Sequence, residues 1–299
     1  MNISEKGGNP LQIYKDKKII ILFLAPSLII IGLFLYYPFA MSFYKSFFNW
    51  DGFLTSKFIG LGNYRRLFSD VMIHKAIINT FTLMILVIIF QVGTALLLAV
   101  VLDSIKAGAK FFRVVYFLPI VISATAIGLM FKLIYMYDGG LLNGIRALMG
   151  LEPIVWITEK TALLAVAVPT IWHYVGFYFV ILITAINRIP VDLYESAYLD
   201  GITGVSKTIY ITIPLIWDII KVCLVLAITG TLKVFDLPYV ITQGGPFGAS
   251  EFLGTYMNTK TFTDQVFGYG ATIAVLIVVL GVVISSIVNK LLKSEEITF

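Results

Sequence analysis

The sequence predicts an all-α polytopic membrane protein with six transmembrane helices. Three observations carry this expectation. The chain is 59% hydrophobic and 13% charged, with a mean hydropathy of +0.93, far from the balance of a soluble domain. Stretches 19–43, 76–102, 162–187 and 266–289 contain no Asp, Glu, Lys or Arg, and each is long enough for a hydrocarbon core that needs about 20 apolar residues. Lysine and arginine are also unequally shared between the two sets of connecting segments.

The spans follow in order at about 19–43, 76–102, 112–136, 161–187, 215–237 and 266–290, so the membrane domain occupies 19–291. The first run is 25 residues long and has no A-x-A cleavage pattern, which marks an uncleaved anchor rather than a secretion signal. The third run is charge-free from Val114 to Phe131 and continues to Lys132. The fifth carries Asp218, Lys221 and Lys233 towards its ends, where long side chains can reach the headgroups. Omitting either would place the remaining loops on inconsistent sides.

Segments 1–18, 103–113, 188–214 and 290–299 hold 11 Lys or Arg, against 8 in the three opposite loops, which puts both termini in the cytoplasm. The arm 1–18 and the tail 292–299 are then cytoplasmic, and Lys15, Lys17 and Lys18 can lie against anionic lipid. Topology explains the net charge of +5 without nucleic acid as a partner. The single cysteine, Cys223, excludes an intramolecular disulfide and reads as a small packing residue.

Between the fourth and fifth spans lies a polar insert, IPVDLYESAYLDGITGVSKTIYITIP, at 189–214. Asp192 and Glu195 have the spacing of a helix-start capping arrangement. Gly201 suits the left-handed position that ends a helix, Thr203 can cap a second one, and Pro214 marks its end or the start of the next span. The expected shape is helix, bend, helix.

Within this insert, Glu195, Ala197, Asp200, Gly201, Ile211 and Pro214 fall at the spacing of the EAA signature, which resembles the cytoplasmic coupling loop of bacterial ABC importer permeases. Ser196, Ile202, Thr208 and Ile213 depart from that pattern. A second segment, FDLPYVITQGGPFGAS (235–250), is similar to permeases of carbohydrate importers, the maltose type among them. So are LFLAPSLIIIGLFLYYPFAMSFYKSF, with Pro26 and Pro38, and FIGLGNYRRLF, with Gly60, Gly62, Asn63 and Tyr64.

The resemblance implies a type I ABC importer permease fold in the bacterial cell membrane, importing an oligosaccharide or related sugar. It makes 188–214 the coupling loop, with Asp192, Glu195, Ser196, Ala197, Asp200, Gly201 and Pro214 as its ATPase-coupling residues. It also implies the partners: a second permease subunit, an ABC ATPase dimer and an extracellular sugar-binding protein. ATP and Mg belong to the ATPase, and no cofactor is expected on this chain. Gly244, Gly245 and Pro246 read either as simple turn formers or as a bend that aims the chain at the external mouth of the pathway.

Transporter sites lie near the bilayer midplane, where helices turn polar groups into a cavity. The fourth span is richest in such groups. On a 3.6-residue period Thr170, His173, Tyr174 and Phe177 share a face able to offer hydrogen bonds and aromatic rings to a sugar. Thr231, beside Thr229 and Gly230, lies at comparable depth in the fifth span. For single residues, packing is the competing role, and His173 reads as a packing histidine rather than a proton relay.

Catalysis is not expected. The chain has no G-x-x-x-x-G-K-[ST] phosphate loop and no H-E-x-x-H, and His74 and His173 are its only histidines, which leaves no set for a metal site. The alternative to an ATP-driven importer is an ion-coupled secondary transporter. It needs a mid-membrane carboxylate, which the spans do not offer.

Overall fold

The computed structural model describes residues 17–54, 56–105 and 108–292. The expected arm 1–18, with Lys15, and the tail 292–299 therefore lie almost wholly outside the described residues. Helix α1 (Ile20–Lys45) contains a π-helical turn at Gly32–Tyr36 and is exposed along most of its length. Its last part, Tyr37–Lys45, packs on the C-terminal helix.

A short hairpin follows, β1 (Phe48–Trp50) antiparallel to β2 (Ser56–Phe58), with Phe48 opposite Phe58 and their rings 5.3 Å apart. Three-residue strands are too short to show alternation, so the all-α expectation passed over them. In α2 (Gly62–Ser69), the buried Asn63 amide donates to the carbonyls of Ser46 at 2.8 Å and Phe48 at 2.9 Å, and the Tyr64 hydroxyl lies 2.8 Å from Ser46 Oγ. The Gly-Asn-Tyr segment thus holds the end of α1, where helix carbonyls lack partners of their own.

Asp70 starts α3 (Val71–Asp103) by accepting the Met72 N–H at 3.0 Å, and a π-helical turn interrupts this helix at Val87–Val92. The next two helices, α4 (Ala109–Val121) and α5 (Ala124–Ile134), meet at 91°. The single span expected at 112–136 is therefore broken. Pro119 lies in the last turn of α4, Ile122 is extended, and Ser123 restarts the helix by accepting the Ala126 N–H at 3.3 Å. Helix α6 (Leu141–Leu148) carries the buried Asn143, whose amide ties together the backbone of Tyr137 and Ile154 and the Trp156 indole.

Helix α7 (Ala162–Ile186) is the centre of the bundle. It packs on α3, α4 and a later helix, with Phe179, Leu182 and Ile183 fully buried. Its contact with α4 depends on Gly176, because a Cβ there would run into the Tyr116 carbonyl. Small residues of this kind let helix backbones approach inside lipid, where dispersion replaces the hydrophobic driving force.

The chain then forms α8 (Val191–Leu199) and α9 (Gly204–Leu215), and turns by 73° at Ile216 into α10 (Trp217–Leu232). The fifth span, expected at 215–237, stops at Leu232. The backbone leaves helical geometry at Lys233–Phe235 and resumes in α11 (Asp236–Ile241), which packs on α5. A close approach of Val240 to Gly128 seals that contact. After α12 (Leu253–Asn258) and a π-helical turn at Thr259–Thr263, α13 (Phe267–Leu291) ends the bundle. Among the described residues four helices, α1, α3, α7 and α13, are long and apolar enough to cross a membrane, and the count reaches six when each bent pair is one span.

Candidate functional site

Two features stand apart from packing: an exposed two-helix loop at one end, and a cavity on the side towards the other. In the loop, Gly201 adopts φ +77, the left-handed backbone that glycine accepts without strain. The Ile202 N–H returns to the Ala197 carbonyl at 2.8 Å and the Gly201 N–H to the Tyr198 carbonyl at 3.0 Å, which satisfies carbonyls at the end of α8. Helix, bend and helix are present as expected, but two of the expected caps are not. Pro190 occupies the cap position of α8, so Asp192 and Glu195 lie inside the helix and make no capping bond. Thr203 sits at the start of α9 without a side-chain bond to it. Asp192 in the first turn instead complements the positive end of the helix dipole.

Of the residues expected to couple, Ala197 is buried, while Asp192, Glu195, Ser196, Asp200, Gly201 and Pro214 are exposed. Around them Val191, Tyr198, Leu199, Val205 and Tyr210 are largely exposed as well. The loop is braced from within: Lys207 lies 4.0 Å from the Asp103 carboxylate and 4.4 Å over the Tyr194 ring, and the Tyr194 hydroxyl is 3.2 Å from Thr212 Oγ1.

The cavity, about 420 Å³, lies between α3, α7, α10 and the break before α11. Thr170, Tyr174 and Thr231 line it, as does Gly230. Thr170 and Thr231 donate to the carbonyls one turn back, of Val166 and Ala227, both at 2.8 Å, so each hydroxyl oxygen can still accept. His173 and Phe177 do not reach the cavity, contrary to expectation. Its α7 wall runs Thr170, Tyr174, Tyr178, and at about 100° per residue a face centred on Tyr174 turns His173 well to one side and Phe177 partly so. His173 is buried with its ring 4.4 Å from that of Tyr174, and Phe177 stands edge-on to Tyr178 at 5.2 Å.

Sequence reasoning missed Gln91, Tyr178, Lys233, Phe235 and Asp236, all of which line the cavity. Tyr178 was detectable as the next i+4 step after Tyr174, and Gln91 as the lone amide of an apolar run. Asp236 is among them because the helix breaks at 233–235, which brings its carboxylate to the cavity wall, within electrostatic range of His173 and Tyr174.

The segment after α11 folds over this end. Phe235 and Tyr239 stack at 4.9 Å, and Ser250 Oγ lies 2.7 Å from both Thr242 Oγ1 and the Gly245 carbonyl. Gly244 (φ +81) faces the buried Glu251 carboxylate with no room for a side chain. Burial pushes the Glu251 carboxyl up, against the opposing pull of the Thr255 hydroxyl at 2.6 Å and the Lys260 charge. The Asn79 amide donates to the carbonyls of Gly248, Ala249 and Glu251 at 2.9 to 3.2 Å, which pins the segment to α3.

A helical bundle whose broken spans border an internal cavity, with an exposed two-helix loop at one end, defines a membrane permease. Residues 95–295 match the family described as "Binding-protein-dependent transport system inner membrane component", and the chain belongs to that family of ABC transporter permeases, which are transport subunits rather than enzymes. It is 36% identical to the "Probable ABC transporter permease protein YurN" of Bacillus subtilis, over 95% of this chain and 99% of that one. It is 31% identical to the lactose transport system permease protein LacF of Rhizobium radiobacter, over 88% and 90%. Its fold matches a chain of a crystal structure of a bacterial ABC transporter that imports the acidic polysaccharide alginate, with a TM-score of 0.82, 23% identity, and 94% and 97% of the two chains covered.

Proposed function

We propose that this chain forms part of the sugar path of an ATP-driven importer, with the cavity beside α7 and α10 as its section of that path. The observation that carries this reading is the lining itself. Tyr174, Tyr178 and Phe235 offer ring faces for sugar C–H surfaces, and Gln91, Thr170 and Thr231 offer acceptors for hydroxyls around one cavity. Relatives named for lactose, trehalose/maltose and diacetylchitobiose support an oligosaccharide as cargo.

The energy enters through the loop of α8 and α9. Its exposed apolar side chains and its exposed Asp192, Glu195 and Asp200 form a surface for an ATPase subunit, which binds the ATP and Mg that this chain has no motif to hold. A second permease subunit is the partner for α1, whose apolar surface is left exposed by the rest of the bundle. An extracellular sugar-binding protein delivers cargo at the opposite end, and both termini are cytoplasmic. An ion-coupled mechanism is disfavoured by membership of a binding-protein-dependent family, although Asp236 borders the cavity.

The test is sugar-stimulated ATP hydrolysis by the reconstituted assembly with Asp200→Lys plus Gly201→Asp. Loss of stimulation with the subunits still associated supports coupling through this loop. Unchanged stimulation overturns that role.

A further inference from the structure

We propose that Gln91, on the π-helical turn of α3, is a substrate-recognition residue whose amide oxygen accepts a hydroxyl of the passing sugar. The proposal rests on the reading of the cavity as the sugar path.

Gln91 is only 3% exposed, yet it lines the cavity next to the α7 wall. Its amide sits beside the Tyr178 hydroxyl, and its Oε1 has no hydrogen-bond partner among the described residues. Buried carbonyl oxygens are almost always paired, and leaving one unpaired costs stability. The neighbouring hydroxyls of Thr170 and Thr231 are satisfied as donors within their own helices, so they make no such demand. Gln91 Oε1 is thus a buried acceptor left unpaired on a side chain that borders the cavity.

The backbone adds an independent observation. Gln91 lies within the π-helical turn Val87–Val92, and such single-turn insertions gather at functional sites. One extra residue shifts the phase of a helix, which re-aims the side chains on the inserted turn. Val87, on the same turn, also lines the cavity. A sugar hydroxyl is the complementary group: it donates to Oε1 and still accepts from elsewhere.

Gln91→Leu keeps the approximate shape and removes the amide. Uptake of radiolabelled maltose, lactose and diacetylchitobiose is measured in proteoliposomes carrying the complete transporter, at saturating binding protein. The thermal unfolding midpoint of the same preparations is measured alongside. The expected result is a roughly three- to tenfold fall in uptake of the sugar that the native transporter carries, the loss of one hydrogen bond. The midpoint stays level or rises, because a buried unpaired oxygen has been removed. A lowered midpoint would make Gln91 a structural residue and overturn the proposal, as would uptake equal to native. If the native transporter takes up no sugar that its binding protein delivers, the sugar-path reading itself fails, and the proposal with it.

Discussion

The Tyr256 hydroxyl donates to the Asp70 carboxylate at 2.7 Å across 186 residues of chain. Tyr269 donates to the same oxygen, also at 2.7 Å, while Arg66 lies 4.2 Å over the Tyr269 ring. Asp70 also starts α3, so one carboxylate joins α3, α12 and α13. Partial burial alone would raise the Asp70 carboxyl. The hydrogen bonds from Tyr256, Tyr269 and the backbone of Met72 and Ile73 outweigh it and hold the carboxyl below its usual value.

The sign of the pH dependence follows. A folded-state value below the unfolded one means that Asp70 contributes its full stability above the unfolded aspartate value, and that this stability is lost as pH falls through the folded value. Near neutral pH, Asp70→Asn is expected to cost about 1–2 kcal/mol, the scale of hydrogen bonds to a charged group at a half-exposed site. Thermal melts in detergent across pH would check this, and the difference from native should shrink on the acid side.

Gly176 sets how closely α7 and α4 approach. A methyl group there would overlap the Tyr116 carbonyl, a backbone atom that cannot move aside, whereas Gly230 has nothing within 4 Å of the corresponding position. Gly176→Ala is expected to lower the melting midpoint by several degrees and Gly230→Ala to leave it nearly unchanged, since overpacking a close contact costs about 1–3 kcal/mol. Equal midpoints for the two variants would contradict the close approach.

At Gly201 the constraint is conformational. The site is open, with nothing within 4 Å, but its φ is +77. Gly201→Val therefore strains the loop by about 1–2 kcal/mol, while Gly201→Asn strains it less, because asparagine tolerates left-handed backbone. Copurification of the ATPase with each variant should rank Gly above Asn and Asn above Val. A Val variant that retains native association would show that the bend is not needed for docking.

Tyr174 and Phe177 separate recognition from packing within one helix. Tyr174 lines the cavity, and Phe177 packs against the hydrophobic core. Tyr174→Ala is expected to reduce sugar uptake at least tenfold with assembly intact. Phe177→Ala is expected to lower the melting midpoint, by about 3 kcal/mol if its ring is fully enclosed and by less here, where it is only partly buried. Uptake and melting curves on the same preparations would check both.

Helix content and the two-helix loop were legible because each depends on local chemistry. Apolar length marks α1, α3, α7 and α13 directly, and Gly201 announces its own bend. That Asp192 makes no capping bond was not legible, because Pro190 decides where α8 begins and shifts the register by two residues. The cavity was half legible. Thr170, Tyr174 and Thr231 follow from helix period and polarity, but which side of α7 faces inward depends on what packs against its other side.

Local patterns along the chain were enough to show a membrane bundle, the family its polar segments resemble, and where its loop bends. Hydropathy, glycine and proline act over a few residues, so they can be read in order along the chain. Only the tertiary structure decided that the third and fifth spans are broken, that Asp236 and Gln91 reach one cavity, and that Asp70 joins residues nearly 200 positions away. Those outcomes depend on which helix faces fit closely enough to exclude the others, and close packing between distant segments leaves no periodic mark in either one.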